Sequence, residues 1–217
     1  MFRDTVKRTH GWAYPARTVG DGVEITLKHD GGIPASQDDN RHSDFKQSLR
    51  VEFSRQLRRL WRQGLLKEFY EAGLPVVSHT QPRQWCCVPD DPDKHPFFRV
   101  QVCGFSAIPM VSWHNMLGCD LDFSFLGDER GIIDLDNQIK TVFDALRMPH
   151  QPNEVPGHMF GKGDDLFCLL EDDAIVKRFC VESRFGGGGS PPDEELFIKA
   201  RVYPSHGTCH PALDRFR

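Results

Sequence analysis

The chain has no apolar run near the ~20 residues that crossing a bilayer requires. Its opening residues, Met1 to Arg8, also lack the apolar stretch of a secretory leader. Both absences point to a cytoplasmic protein with no membrane partner. There is no C-x-x-C pair, and the seven cysteines are an odd number, so reduced thiols are expected rather than a disulfide framework. Neither His206, Cys209 and His210 nor His114 with Cys119 has the paired spacing of a zinc finger, which leaves them as polar-tail and core residues. Excess positive charge is missing too. A net charge of −4 argues against a protein that coats DNA nonspecifically, because backbone affinity comes from Lys and Arg displacing counterions. The glycine run from Gly186 to Gly189 lacks the Lys-Ser/Thr ending of a phosphate-binding loop and reads as a flexible hairpin connection.

What is present fits one α/β domain. The length of 217 residues and a hydrophobic fraction of 39% are enough for a single core. Residues 1–20 read as an N-terminal extension, 21–205 as the domain and 206–217 as a tail. Strands are expected at Val23–Leu27, Phe97–Val102, Cys119–Phe125, from Ile175 to near Val181, and at Leu196–Tyr203. One long helix is expected from Ser43 to Glu68. Lys28 to Pro34 reads as a loop near the site, Val76 to His95 as a surface insertion, and Pro149 to Leu166 as a long loop.

Two acidic segments carry the chemistry. In the first, Ile139, Val142, Phe143 and Leu146 recur at the spacing of one helical face. Asp136 and Asn137 stand where the first turn's free N–H groups need acceptors. The helix should therefore start near Asp136, with Lys140 one turn later on the same side. Asp134 lies two residues before Asp136, so in an extended chain the two carboxylates share a face. In the second segment, Glu171, Asp172 and Asp173 lead into a strand. Carboxylates gathered at one spot repel by several kcal/mol unless protons or metal ions offset them. Oxygen-rich sites of that kind select hard cations such as Mg²⁺ or Mn²⁺. The bland alternative is a helix cap and a solvated turn.

The two segments together, from Asp134 to Leu146 and from Glu171 to Val176, resemble the core of the RusA family of Holliday-junction resolvases. The match falls on Asp134, Asp136, Asn137, Lys140, Phe143, Asp144, Ala145, Leu146, Asp172 and Asp173, within roughly residues 132 to 183. The resemblance implies a RusA-like α/β fold, a single domain with a mixed β-sheet packed against helices and carrying loop insertions. It also implies a homodimeric, Mg²⁺-dependent endonuclease acting on four-way DNA junctions. Asp134, Asp136 and Asp173 would bind metal and be essential for cleavage. Lys140 would stabilise charge on the scissile phosphate, and Asp172 would be an accessory ligand. This chain departs from the family in its extra segments and in Gly127 to Gly131, where some relatives carry basic residues.

DNA contacts are expected from the long helix. Between Ser43 and Glu68 it carries seven basic residues against three acidic ones (Asp44, Glu52 and Glu68). Lys46, Arg50, Arg58 and Arg62, with Asn137, are the candidate DNA-binding residues, set against a plain solvated face. A nuclease acting on other branched DNA, and a noncatalytic DNA-binding protein that keeps the fold, remain as alternatives.

Overall fold

The computed structural model describes residues 17–19, 22–34, 39–64, 66–78, 96–102, 105–115, 117–127, 135–151, 154, 164–185 and 194–204. Asp134, the glycine run and the residues after 204 lie outside the described residues. In chain order the elements are β1 (Arg17–Val19), β2 (Gly22–Asp30), α1 (Asp39–Gln63), α2 (Lys67–Glu71), β3 (Val76–Ser78), β4 (Arg99–Val102), β5 (Phe105–Val111), β6 (Leu117–Gly127), α3 (Leu135–Leu146), β7 (Asp165–Leu170), β8 (Val176–Phe185) and β9 (Glu195–Pro204).

The strands form two mixed sheets. The larger has the order β1-β2-β9-β6-β8, and the smaller β3-β4-β5-β7. In the larger sheet β1/β2, β2/β9 and β6/β9 are antiparallel, whereas β6 and β8 are parallel. β6 shows why it is a strand: Leu121, Phe123 and Phe125 are buried while Asp120, Asp122 and Ser124 alternate outward, the period of a sheet with one dry face.

α1 lies between the sheets because its apolar stripe has somewhere to go. Leu49, Phe53, Leu57, Leu60 and Trp61 are all buried. The Trp61 ring meets Phe97 edge-on at 5.0 Å. Polar groups of α1 finish what the strands leave open. β1 pairs only Gly22 to Glu24 of β2; further along, Gln56 accepts from the Lys28 N–H at 3.0 Å and donates to its carbonyl at 2.6 Å. That closes an edge whose backbone groups need partners. Ser54 likewise accepts from the Phe167 N–H at 2.9 Å.

A second apolar cluster, with Val100, Ala107, Leu166 and Cys168, covers the far face of the smaller sheet. That sheet is held to α2 by a half-buried carboxylate. Asp165 accepts from Arg99 Nε at 3.1 Å, Arg99 Nη2 at 3.2 Å and the Tyr70 hydroxyl at 2.8 Å. Asp165→Asn is expected to lower stability by about 2 kcal/mol, because an amide presents an N–H to donors that need an acceptor. A urea midpoint unchanged in that variant would contradict the assignment.

The mixed α/β class is as the sequence reading has it, with several local differences. Arg17–Val19, assigned to an extension, joins the larger sheet. Val76–Ser78, assigned to a surface insertion, pairs in parallel with β4; residues 79–95 lie outside the described residues. β5 was not anticipated at all. The long helix ends at Gln63, and Lys67–Glu71 forms a separate short one. Among the described residues, no helix is long and apolar enough to cross a membrane.

Candidate functional site

α3 and the turn after β7 position the acidic side chains. Asp136 is exposed in the first turn of α3, where a carboxylate is favoured by the helix dipole. Lys140 is exposed one turn on, and Asp144 and Arg147 continue the same stripe at helical spacing. Phe143 turns the other way, with its ring 5.4 Å from Phe123 and 5.5 Å from Phe179. The buried Gln138 donates to the Ile33 carbonyl at 2.9 Å. This places the 31–34 turn against the start of α3; Lys28–Asp30, expected as part of that loop, instead belong to β2. Gly31 enters that turn with φ +132°, a conformation that side-chain-bearing residues rarely adopt.

The second acidic segment is brought to the end of α3 by a short parallel bridge. Arg147 pairs with Leu170, and the Met148 N–H donates to the Leu170 carbonyl at 2.9 Å. β7 then runs straight into Glu171, Asp172 and Asp173. Asp172 caps a 3-10 turn over Asp173–Ile175 by accepting the Ala174 N–H at 2.9 Å. His150 Nε2 stands 3.6 Å from the other Asp172 oxygen. The turn opens β8 as expected.

Electrostatics divides these groups. The Asp173 carboxyl is pushed up by burial, by its hydrogen bond with Asp172 and by the Asp172 charge, with Arg147 opposing and Asp144 adding to the rise. Adjacent carboxyls sharing a hydrogen bond mark negative charge the protein does not fully offset. Glu171 is fully buried, and its carboxyl is pushed up to about 8 by burial, against the Trp113 N–H that it accepts at 3.1 Å. Asp144 behaves oppositely. Burial raises it, but Lys46 and Arg147 outweigh that and hold it below the usual carboxylate range.

The basic residues expected to touch DNA have varied placements. Arg50 is a correction: only 1% exposed, it donates inward to Gln47 Oε1 and to the main-chain oxygens of Glu154 and Asp144. A guanidinium turned inward and buried to this degree does not reach a phosphate at the surface. Lys46 binds Asp144 at 3.1 Å, beside the acidic turn. Arg58 is half-buried, and Arg62 lies over the Tyr70 ring at 5.6 Å. Sixteen residues of helix separate Lys46 from Arg62, about 24 Å, so these positions do not make one patch. Asp120 and Asp122 point from the outer face of β6, away from α3, and Asp120 accepts from the Tyr203 hydroxyl at 2.8 Å.

Within one chain the expected carboxylate set is divided. Asp172 and Asp173 lie beside Asp144 and Arg147 at the C-terminal end of α3. Asp136 is at its N-terminal end, eleven residues before Arg147 and about 16 Å away along the axis. Among the described residues, no three His, Cys, Asp or Glu side chains stand together as a metal-ligand group. The sequence reading did not single out the clamp around Glu154. Arg147 grips that carboxylate at 3.0 and 3.1 Å, and the His150 N–H donates to it at 2.9 Å. Only the order of charges from Asp144 to Glu154 hinted at it.

The fold is thus a mixed α/β domain with an acidic turn against one end of a helix. No protein-family model, curated protein or solved structure significantly matches the chain.

Proposed function

We propose that the protein is a Mg²⁺-dependent endodeoxyribonuclease that cuts branched DNA, with the four-way junction as its substrate. The observation that carries this reading is the Asp172–Asp173 pair. Burial, their shared hydrogen bond and mutual repulsion raise the Asp173 carboxyl, and a divalent cation relieves that strain. The donor set is all oxygen, which suits Mg²⁺ or Mn²⁺. Asp172 and Asp173 would hold the ion; Asp136, about 16 Å away along α3 within one chain, would join them only across a homodimer. When bound, it supplies Lewis-acid stabilisation of the phosphodiester and eases ionisation of water.

The chain's own residues do the rest. Lys140, exposed one turn after Asp136, offers an ammonium to a phosphate oxygen and offsets charge there as the bond breaks. Asn137 and Lys46 flank the site as candidates for positioning the backbone. A junction has approximate two-fold symmetry and needs paired cuts in opposed strands, which a homodimer matches with two sites.

The test is cleavage of a labelled synthetic four-way junction with and without Mg²⁺. Paired, metal-dependent nicks are expected, falling by about a hundredfold or more in Asp136→Asn and in Asp173→Asn. Full cleavage in either variant would sink the assignment. Cleavage confined to flaps or forks in the same experiment would move the substrate to other branched DNA.

A further inference from the structure

Trp113 is 49% exposed, yet the turn that carries it is tightly fastened. The Ser112 N–H donates to Asn115 Oδ1 at 3.1 Å, and the Asn115 N–H donates back to Ser112 Oγ at 3.2 Å. The same buried asparagine accepts the Leu117 N–H at 3.2 Å and donates from Nδ2 to the Met110 carbonyl at 2.9 Å. The turn is also tied to the acidic segment. Trp113 gives its main-chain N–H to the Glu171 carboxylate, and the Glu171 N–H donates to the Val111 carbonyl at 2.9 Å. None of these bonds uses the indole. A large flat side chain is therefore left in water on a scaffold that fixes where it stands, against the residue that precedes Asp172 and Asp173.

A cation is aimed at the same ring. In the parallel β6–β8 ladder Cys119 pairs with Val176 and Asp120 with Arg178, so Lys177 is the extra residue of a β-bulge. Bulges re-aim a side chain, and here the exposed Lys177 ammonium stands over the Trp113 ring, 6.0 Å from its centroid. That distance is the outer limit of a cation–π attraction, so the ammonium can leave the ring at little cost.

We propose that Trp113 and Lys177 form a nucleotide subsite beside the acidic turn, the indole stacking on a base face laid open at the branch point and the ammonium meeting the phosphate next to it. This rests on the proposed nuclease function and adds how its substrate is held and chosen. A flat ring with a cation at its face matches the two parts of a nucleotide, the π-face of the base and the charge of the backbone. Stacking of this kind accepts any base, because every base has such a face. The acidic turn repels phosphates, and Lys177 offsets that repulsion where the strand must approach. A platform already in place also loses little freedom on binding. The interior of a linear duplex keeps its base faces stacked on one another, whereas a branch point opens them, so the subsite favours branched over linear DNA.

The test is binding of the intact protein to a labelled four-way junction and to a linear duplex of the same strand length, with Ca²⁺ in place of Mg²⁺ so that the DNA stays whole. Trp113→Ala should weaken junction binding by about tenfold or more, and Trp113→Phe should recover part of it. Duplex binding should be unchanged in both. Lys177→Ala should lower the slope of log affinity against log salt on the junction by about one. Trp113 holds Glu171 through its main-chain N–H, so Trp113→Ala keeps that bond and should keep the urea midpoint of wild type. The junction-to-duplex ratio is read within each variant, because a general loss of fold lowers both affinities. Junction binding untouched by Trp113→Ala, or lost equally on the duplex, overturns the subsite and leaves the nuclease reading standing if wild type nicks junctions with Mg²⁺. A wild type that neither binds nor nicks branched DNA overturns both.

Discussion

Replacing Arg50 by alanine should lower the stability of the fold by about 3–5 kcal/mol. The guanidinium is 1% exposed and burial pushes its pKa down, yet it is retained because its donors hold three elements together. They reach Gln47 within α1, the Asp144 carbonyl in the last turn of α3, and the Glu154 carbonyl beyond it. Truncation leaves those acceptors buried without a donor and opens a cavity, two costs that add. Arg50→Lys keeps the charge but not the fork, so it should recover only part of the loss. Urea denaturation of the three proteins decides the matter, and an alanine variant within 1 kcal/mol of wild type would refute the keystone role. A direct phosphate contact predicts something different: the folded Arg50→Lys protein would then show an altered salt dependence of DNA affinity. An unchanged slope is expected.

Glu171→Gln should stabilise the metal-free protein at alkaline pH. The folded carboxyl titrates near 8 rather than at the 4.5 of a free glutamate, and burial is the main cause. Between those values the unfolded chain has released the proton while the folded one keeps it. Stability therefore falls as pH rises, by up to about 1.4 kcal/mol per pH unit, and levels off above the folded value. Below pH 4.5 both states are protonated and the penalty vanishes. Glutamine cannot ionise, and its carbonyl can still accept the Trp113 N–H. The variant should gain roughly 2–4 kcal/mol over wild type at pH 8.5 and little at pH 5. Urea midpoints in the presence of a chelator, taken at both pH values, provide the test. A difference that does not change with pH would mean that Glu171 is ionised in the folded protein.

How much was legible from the residues varies with the environment each element meets. The stripe of α1 and the periodic face of α3 could be read because a helix half in water repeats every 3.6 residues. β6 and β9 were visible because one face is dry and the other wet. β5 escaped notice for the opposite reason. Ile108 and Met110 face the main core while Ala107 faces the second cluster, so both faces are apolar and no alternation survives to announce a strand. β3 is three residues long and gains its partner from twenty-three residues downstream, a pairing that no local pattern records. In the site, Asp136, Lys140, Asp172 and Asp173 stood out by type and spacing. The inward turn of Arg50 did not, because a basic residue on a charge-rich helix has the same sequence signature whether it faces solvent or a buried carbonyl.

By itself the sequence determined the α/β class, the helix that begins at the Asp136 turn, and the Asp-Asp pair that opens a strand, since each follows from local hydrogen bonding and hydrophobic period. Only the tertiary structure decided which carboxylates share a field. The parallel β6–β8 pairing and the Arg147–Leu170 bridge set Asp173 beside Asp144 and Arg147, and left Asp136 at the other end of the helix. Such distances depend on which strands pair and in which direction. Pairing across many residues is fixed by burial of the whole core rather than by any neighbouring side chain.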